Sequence, residues 1–587
     1  MTVKDMDKNA HTPHMPPTEL MDSEHSSVFS RYFRKKCPDE LIRTANKCQL
    51  NKTLNAFDLI VLGIGAVIGA GIFALAGTAA VGSSGHVGAG PALIVSLIFA
   101  ALACSFSALC YAEFASMIPV AGSAFTYTYA TLGEIAAWFI GWMLVLEYLI
   151  GNITVVSSWS GYLMNFLAGF KGVLPDFLTS PPLWLVNNYS LAVEKYRKVS
   201  ISDFTTLLES KYQALGLDAS RIKELFDPSN FNPSMFNPAA IDSLGFNSNL
   251  LLHPETHIPH LGPIPLCIDL PAIIFLGFIT YLLFVGIKES TRFTFAMVLT
   301  KLLVIFLFIG VGMFYVRPEN WVPFAPNGFK GIFVGAYLIF FAYIGFDAVS
   351  TAAEETKNPQ RDMPIGIIGS LVICTLIYIA VVAVLTGIIP LNQIDTHAPI
   401  AAAMTSINQN WVAFLISIGA IAGLGSVLVV LQLGGTRVLY AMSRDKLLPG
   451  AFSKVHPKFK TPHLNAILVG VGVMFGTLIL DLNAAAELCN IGTLTAFMLV
   501  CAGVRVLRKT DPTRERPFKT PWVPVVPILG ILTCLALIVL GLPTIKTLVI
   551  FGIWITIGMT LYFVYGHKKA TKHINKTREE QKIAANN

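Results

Sequence analysis

The chain has 587 residues, 54% hydrophobic and 13% charged, with a formal net charge of +7. A soluble domain carries about 25% charged residues, so this composition excludes an ordinary soluble protein and implies one that crosses a membrane many times. The basic excess falls in the connections between apolar segments, so membrane topology explains it better than a nucleic-acid partner does.

Residues 1–55 are polar and hold Lys4, Lys8, Arg31, Arg34, Lys35 and Lys36. No short apolar core followed by a small-residue cleavage site occurs there, so they read as a cytoplasmic tail without a removable signal peptide. A span needs about 20 apolar residues to cover about 30 Å of hydrocarbon. Twelve segments qualify, near 57–81, 91–117, 133–167, 269–287, 294–316, 331–353, 364–389, 410–442, 464–480, 484–507, 524–541 and 547–565. With the amino end inside, connections after even-numbered spans hold Lys288, Arg292, Lys357, Arg361, Arg444, Lys446, Lys454, Lys458, Lys460 and the run from Arg508 to Lys519. The other connections hold little beyond Arg317, Lys330 and Lys546, so the charge bias puts both ends, 1–55 and 567–587, in the cytoplasm.

Residues 168–268, after the third span, form a long polar extracellular loop. Phe204, Leu207, Leu208 and Leu215, Ile222, Leu225 predict short amphipathic helices within it. His253, His257 and His260 could offer imidazoles to a metal, but Pro254 and Pro259 interrupt any helix that would align them, and a proline-rich loop with solvated histidines is preferred. The nine cysteines are scattered without a CxxC pair and read as buried thiols, so no metal site and no cofactor is expected.

The first span contains GIGAVIGAGIF, from Gly63 to Phe73, in which four of eleven residues are glycine. Each costs a helix interior roughly 1 kcal/mol relative to alanine. In lipid, non-helical backbone is tolerated only against protein or a wet cavity. An interrupted span therefore marks a site, or else its glycines only permit close helix packing. The sixth span repeats the pattern in GAYLIFFAYIGFDAVSTAAEE, with a break around Ala342 to Gly345. Matching breaks in two halves point to an inverted-repeat transporter with its substrate near the bilayer midplane. Free amides at a half-helix amino end suit a carboxylate, and free carbonyls at a carboxyl end suit an ammonium. An α-amino acid carries both groups. The amides of Gly69, Ala70 and Gly71 are expected to hold its carboxylate, and the carbonyls of Phe341, Ala342 and Ile344 its amine. On this reading Gly69 and Gly71 weaken the helix where its amides turn away, while Gly63 and Gly65 serve packing. Phe340, Phe341 and Phe346 read as apolar walls or plain packing.

An ionisable group at the centre of a span costs roughly 2.5–3.5 kcal/mol on insertion scales, so each needs a reason. Lys301 lies roughly 12 Å into the fifth span at 1.5 Å per residue, near the limit of snorkelling. Burial disfavours a lysine's charged form, which suits it to load and release a proton. Glu147 in the third span could line the substrate cavity, receive a cationic side chain, or pair with Lys301 or a backbone donor. Asp347 is expected to cap the second half of the sixth span. Glu354 and Glu355, beside Lys357 and Arg361, read as solvated interface charges.

These segments, with GIKESTRF, FFAYIGFDAVSTAAEETKNPQRDMPIGI, GGTRVLYAMSRDKLLP and NIGTLTAF, resemble the amino acid, polyamine and organocation transporter superfamily. The resemblance is specifically to its cationic amino acid transporter branch in the bacterial twelve-span form, over about residues 30–566. The resemblance implies an all-α polytopic fold with a five-plus-five inverted repeat, 56–320 and 321–510, and two added helices in 511–566. It implies proton-coupled import of an L-amino acid across the cell membrane. Ile68, Gly69, Ala70, Gly71, Glu147, Phe341, Ala342 and Ile344 would be at the substrate and Lys301 at the coupling position, where a related transporter would bind sodium. Many relatives carry threonine where this chain has Ala70, so a hydroxyl contact to the carboxylate is missing. Cationic and neutral substrates both remain open. An exchanger without net proton flux, and a sensor that binds an amino acid without moving it, are the competing readings. An enzyme is not expected, because no nucleophile elbow, phosphate loop or HExxH pattern occurs.

Overall fold

The computed structural model describes residues 33–36, 52–83, 85–120, 123–214, 241–242, 246–247, 252–261, 264–286, 291–396, 398–459, 461–569 and 571. Lys4, Lys8, Arg31, Lys288 and Lys460, and the loop residues Leu215, Ile222 and Leu225, lie outside them.

The described residues are helical almost throughout. In order come α1 (Ala56–Val67), α2 (Gly71–Val81), α3 (Leu93–Met117), α4 (Ser123–Thr131), α5 (Glu134–Ala168) and α6 (Tyr189–Ala214). They are followed by α7 (Leu270–Val285), α8 (Thr291–Gly312), α9 (Gly328–Ile339), α10 (Pro359–Ile388) and α11 (Pro399–Ser406). The last are α12 (Asn410–Arg444), α13 (His463–Ile479), α14 (Leu482–Thr510), α15 (Val525–Gly541) and α16 (Ile545–Leu561). Among the described residues eight helices are long and apolar enough to cross a membrane, α1 and α2 form a bent pair, and three shorter apolar helices, α7, α13 and α15, complete the set. This is a polytopic membrane architecture. Exposed Phe278, Leu303, Phe306, Leu376, Phe475 and Val549 stud these helices, an apolar surface of the kind lipid covers.

Helix starts follow local chemistry. Asn55 caps α1, its Oδ1 accepting from Phe57 N at 2.9 Å and Asp58 N at 3.1 Å, while Asp58 Oδ2 accepts from Asn55 N at 3.0 Å. Asp269 caps α7 through Ala272 N and also accepts from Ser160 Oγ at 2.6 Å, tying α7 to α5. The seventh apolar segment starts at Pro359, not at 364 as its hydropathy suggests, because proline suits the first helical turn.

Two groups of helices enclose the centre. In one, α1, α3, α9 and α10 pack together; in the other, α5 packs on α12 and α7 on α13. Helix α8 lies between α1 and α12, and α14 joins α3 to α5. Arg34 donates to Thr571 Oγ1 at 3.0 Å, so the two ends of the described chain share one face, here called the terminal face. On that face Arg34 also meets Glu134, and Lys36 meets Asp445 at 2.6 Å.

In the long loop the first expected helix, through Phe204, Leu207 and Leu208, is a helix of 26 residues, α6, and the second, through Leu215, Ile222 and Leu225, lies outside the described residues. Phe204 and Leu208 are buried and Leu207 half-buried, so the apolar pattern identified the inner face but not the helix length. The three imidazoles go separate ways: His253 to Glu255, His257 stacked on Tyr196, and His260 to the Ile258 carbonyl.

Candidate functional site

The first break begins where α1 stops. Ile68 is its C-cap, with an extended backbone at φ −73° and ψ 101°. The chain restarts as α2 after a bend of 44°, its first five residues in a wide π-helical turn. The earliest backbone hydrogen bond of the new segment is Phe73 N to Gly69 O at 3.2 Å, so the amides of Gly69, Ala70 and Gly71 lie ahead of its ladder. They stand at the positive end of its dipole.

The second break follows α9. Phe340–Tyr343 tighten into a 3-10 turn, Ile344 is extended, and Gly345 adopts the left-handed region at φ 117° before the chain coils again over Phe346–Glu355. Only glycine takes that conformation without strain.

The breaks face each other. A Cβ on Gly71 would overlap the backbone of Ala342, and one on Gly345 would come within 2.9 Å of the Ala66 carbonyl oxygen. Gly71 therefore serves close approach, as Gly63 does against Ser370 and Gly65 against Val298. This extends the packing reading to a glycine assigned only to helix weakening. Gly69 differs, since its nearest neighbour would be the Val427 side chain at 3.3 Å.

Unpaired carbonyls at the end of α1 find partners from other helices. Lys301 of α8 is fully buried and its Nζ donates to Gly65 O at 2.5 Å and to Ile68 O at 2.9 Å. It does not snorkel. The Tyr378 hydroxyl of α10 lies 2.9 Å from both Val67 O and Ala342 O, so a single group bridges the two breaks. Of the three carbonyls expected to hold an amine, Phe341 O already accepts from Ile344 N at 3.2 Å and Ala342 O is shared with Tyr378. A carbonyl has two lone pairs, so each retains room for a further donor. Ile68, Ala70 and Ala342 are buried, and Phe341 and Ile344 keep 6% exposure each, so the faces of the breaks are closed to solvent.

Glu147 is buried on α5, and its Oε2 accepts from Thr493 Oγ1 of α14 at 2.8 Å. It does not pair with Lys301, whose Nζ bonds Gly65 O and Ile68 O. Its Oε1 and both Asp347 oxygens lack hydrogen-bond partners among the described residues. The expected cap at Asp347 is not formed. Gly345 occupies the cap position and Asp347 lies two residues further on, in the first turn, without a side-chain capping bond. Phe340 and Phe346 are fully buried and both pack on Phe497.

Sequence reasoning missed Tyr378 and Thr493. A tyrosine in an apolar run gives no signal of its own, and Thr493 lay inside the quoted NIGTLTAF without a role. Tyr378→Phe is expected to lower stability by about 1–3 kcal/mol, because it leaves buried carbonyls at both breaks without their shared donor. Thermal unfolding of the purified protein measures this.

A family model described as amino acid permease matches residues 54–564. The chain is 44% identical over 540 residues to the branched-chain amino acid permease BcaP of Bacillus subtilis (strain 168), covering 91% of this chain and 98% of that protein. It is 41% identical over 539 residues to the methylthioribose transporter of the same organism, covering 92% and 98%. It is also 34% identical over 482 residues to the chloroplastic cationic amino acid transporter 9 of Arabidopsis thaliana, covering 82% and 70%. With facing helix breaks inside a polytopic bundle and a family match running nearly end to end, the chain belongs to the amino acid permease family and is a transporter, not an enzyme.

Proposed function

We propose that this protein is a secondary transporter that imports a neutral L-amino acid with a branched apolar side chain, together with a proton. The observation that carries this reading is the pair of facing breaks, with free amides on one and carbonyls on the other. The amides of Gly69, Ala70 and Gly71 take the carboxylate; the carbonyls of Phe341, Ala342 and Ile344 take the ammonium. Ile68, Phe341 and Ile344 supply apolar surface for the side chain, in keeping with the branched-chain permease among the relatives. Methylthioribose, the cargo named for another relative, has neither a carboxylate nor an ammonium, so this geometry favours the amino acid.

Counting the eight long helices, the bent pair and the three shorter helices each as one span gives twelve. The first five, within 56–320, and the next five, within 321–510, form inverted repeats, and the helices of 511–566 are an addition. Support comes from packing between counterparts: α3 lies on α10, α5 on α12 and α7 on α13, as a pseudo-two-fold axis requires. The terminal face, where Lys36 meets Asp445 between Arg444 and Lys446, is cytoplasmic, and the protein resides in a bacterial cell membrane.

Lys301 carries the proton. An ammonium has three N–H groups and a neutral amine two, so both carbonyl bonds survive loss of the proton. What changes is the charge at the negative end of the α1 dipole, which a cation stabilises. Discharge weakens the tie between α1 and α8, and opening toward the cytoplasm follows. Glu147 stands near Asp347 as a wall of the site.

The test is uptake of labelled leucine by proteoliposomes. An inward acid gradient should stimulate uptake several-fold. Leucine exchange that ignores the gradient would identify an exchanger, and failure of neutral amino acids to enter or compete would overturn the substrate assignment.

A further inference from the structure

Helix α5 starts at the terminal face, where Glu134 meets Arg34, and ends at Ala168 on the opposite face. There the chain folds back on itself. Lys171 N donates to Ala168 O at 3.2 Å, and Val173 N and Leu174 N donate to Phe170 O at 2.9 Å and 3.0 Å. Gly172, at φ 87°, makes the reversal, a conformation that suits glycine. One helical turn, Asp176–Thr179, follows, with Leu178 N and Thr179 N donating to Pro175 O. The segment is thus ordered by its own backbone, yet it leaves apolar side chains uncovered: Val173 is 80% exposed, Phe177 70%, and Leu178 is exposed as well.

Its neighbours identify its surroundings. The rings of Phe166, Phe170 and Phe414 cluster, with centroids 5.2 Å apart for Phe166 and Phe170, 5.2 Å for Phe166 and Phe414, and 5.8 Å for Phe170 and Phe414. Phe414 belongs to a stripe on α12, Trp411, Phe414, Leu415 and Ile418, that is exposed while Val412, Ala413, Ile416 and Ser417 between them are buried. On a membrane-spanning helix an exposed apolar stripe of this kind faces lipid, and a tryptophan at its end marks the boundary with water. Phe414 lies three residues inward of Trp411, about 4.5 Å deeper at 1.5 Å per residue. Phe170 therefore packs against a lipid-facing surface at the depth of the hydrocarbon boundary.

We propose that residues 170–178 are an interfacial anchor, which inserts Val173 and Phe177 into the leaflet opposite the terminal face and so fastens the root of the long loop to the lipid surface. Lys171, exposed beside the tip, extends its apolar stem along the boundary and its ammonium to lipid phosphates. The occupant of this patch is lipid and not a soluble protein, because the patch runs into the stripe on α12 that hydrocarbon covers. Further along, the loop is pinned to the body of the protein. Ile268 N donates to Trp184 O at 2.8 Å, closing the neck of the loop, and Asn188 Nδ2 donates to Leu480 O at 3.0 Å beside the end of α13. The anchor and these pins together fix the base of a loop that its composition alone presents as solvated. The inference rests on the membrane architecture and is independent of the transport reading.

The test uses the purified full-length protein in vesicles of phosphatidylcholine and phosphatidylglycerol and needs no substrate. A nitroxide spin label is attached at Val173→Cys and, separately, at Phe177→Cys, and its accessibility to oxygen, which concentrates in lipid, is compared with that to a water-soluble nickel complex. Both side chains are exposed, so labelling leaves the fold intact. The described cysteines are buried, and the natural protein carried through the same labelling supplies the blank. Ile418→Cys on the α12 stripe serves as the lipid reference and Glu194→Cys, exposed on α6, as the water reference. Oxygen accessibility several-fold above that of the nickel complex at 173 and 177, as at 418, is the expected result. Labels that respond as at 194 overturn the proposal, and labels closed to both reagents overturn it too, since they place the patch under protein.

Discussion

Replacing Lys301 by methionine is expected to abolish stimulation of uptake by an inward acid gradient while leaving the fold recognisable but weakened. The side chain's amine provides the hydrogen bonds to Gly65 O and Ile68 O from outside the helix. Methionine fills similar space and donates to neither. Each buried carbonyl left unsatisfied costs about 1–3 kcal/mol, so the two together give a loss of about 2–6 kcal/mol, reduced to the extent that water enters. The discriminating measurement compares uptake with and without the gradient in the same vesicles. A variant that still responds to acidity would remove Lys301 from the coupling step even if its thermal midpoint falls as expected.

The second large effect is expected from Gly71→Ala set against Gly69→Ala. At Gly71 the added carbon meets the Ala342 backbone, which cannot move aside without displacing the second break. Overpacking of this kind costs about 1–3 kcal/mol, and here the strain falls on the two segments assigned to the substrate, so uptake should be lost as well. At Gly69 the neighbour is the flexible end of Val427 at 3.3 Å, which can shift by a few tenths of an ångström. Near-natural uptake in Gly69→Ala alongside a dead Gly71→Ala would fit the facing arrangement. Equal tolerance at both positions would contradict it.

Much of the architecture was legible in the chain because its information is local. Runs of apolar residues set helix positions, and the caps that the structure forms at Asn55, Asp269 and Asp481 act over equally short range. The two breaks were legible too, since glycine clusters and a mid-span aspartate interrupt hydropathy wherever they occur. Lys301 stood out because a charge within an apolar run is costly whatever surrounds it. The long loop was less legible, since a polar 26-residue helix has only a few apolar residues to reveal its length.

What the chain could not show is which interrupted segment meets which. That Gly71 rests on Ala342, that Tyr378 spans both breaks, and that Glu147 answers to Thr493 instead of Lys301 depend on residues brought together from distant parts of the sequence. The cap expected at Asp347 failed for the same reason: one left-handed residue at Gly345, stabilised against Ala66 of another helix, set where the segment begins. Sequence by itself determined the elements and the places where helices break, because hydropathy and propensity act within a few residues. Tertiary structure decided which buried polar groups meet across helices, as Lys301 meets Gly65 and Ile68, because packing alone sets which donor comes within reach of which acceptor.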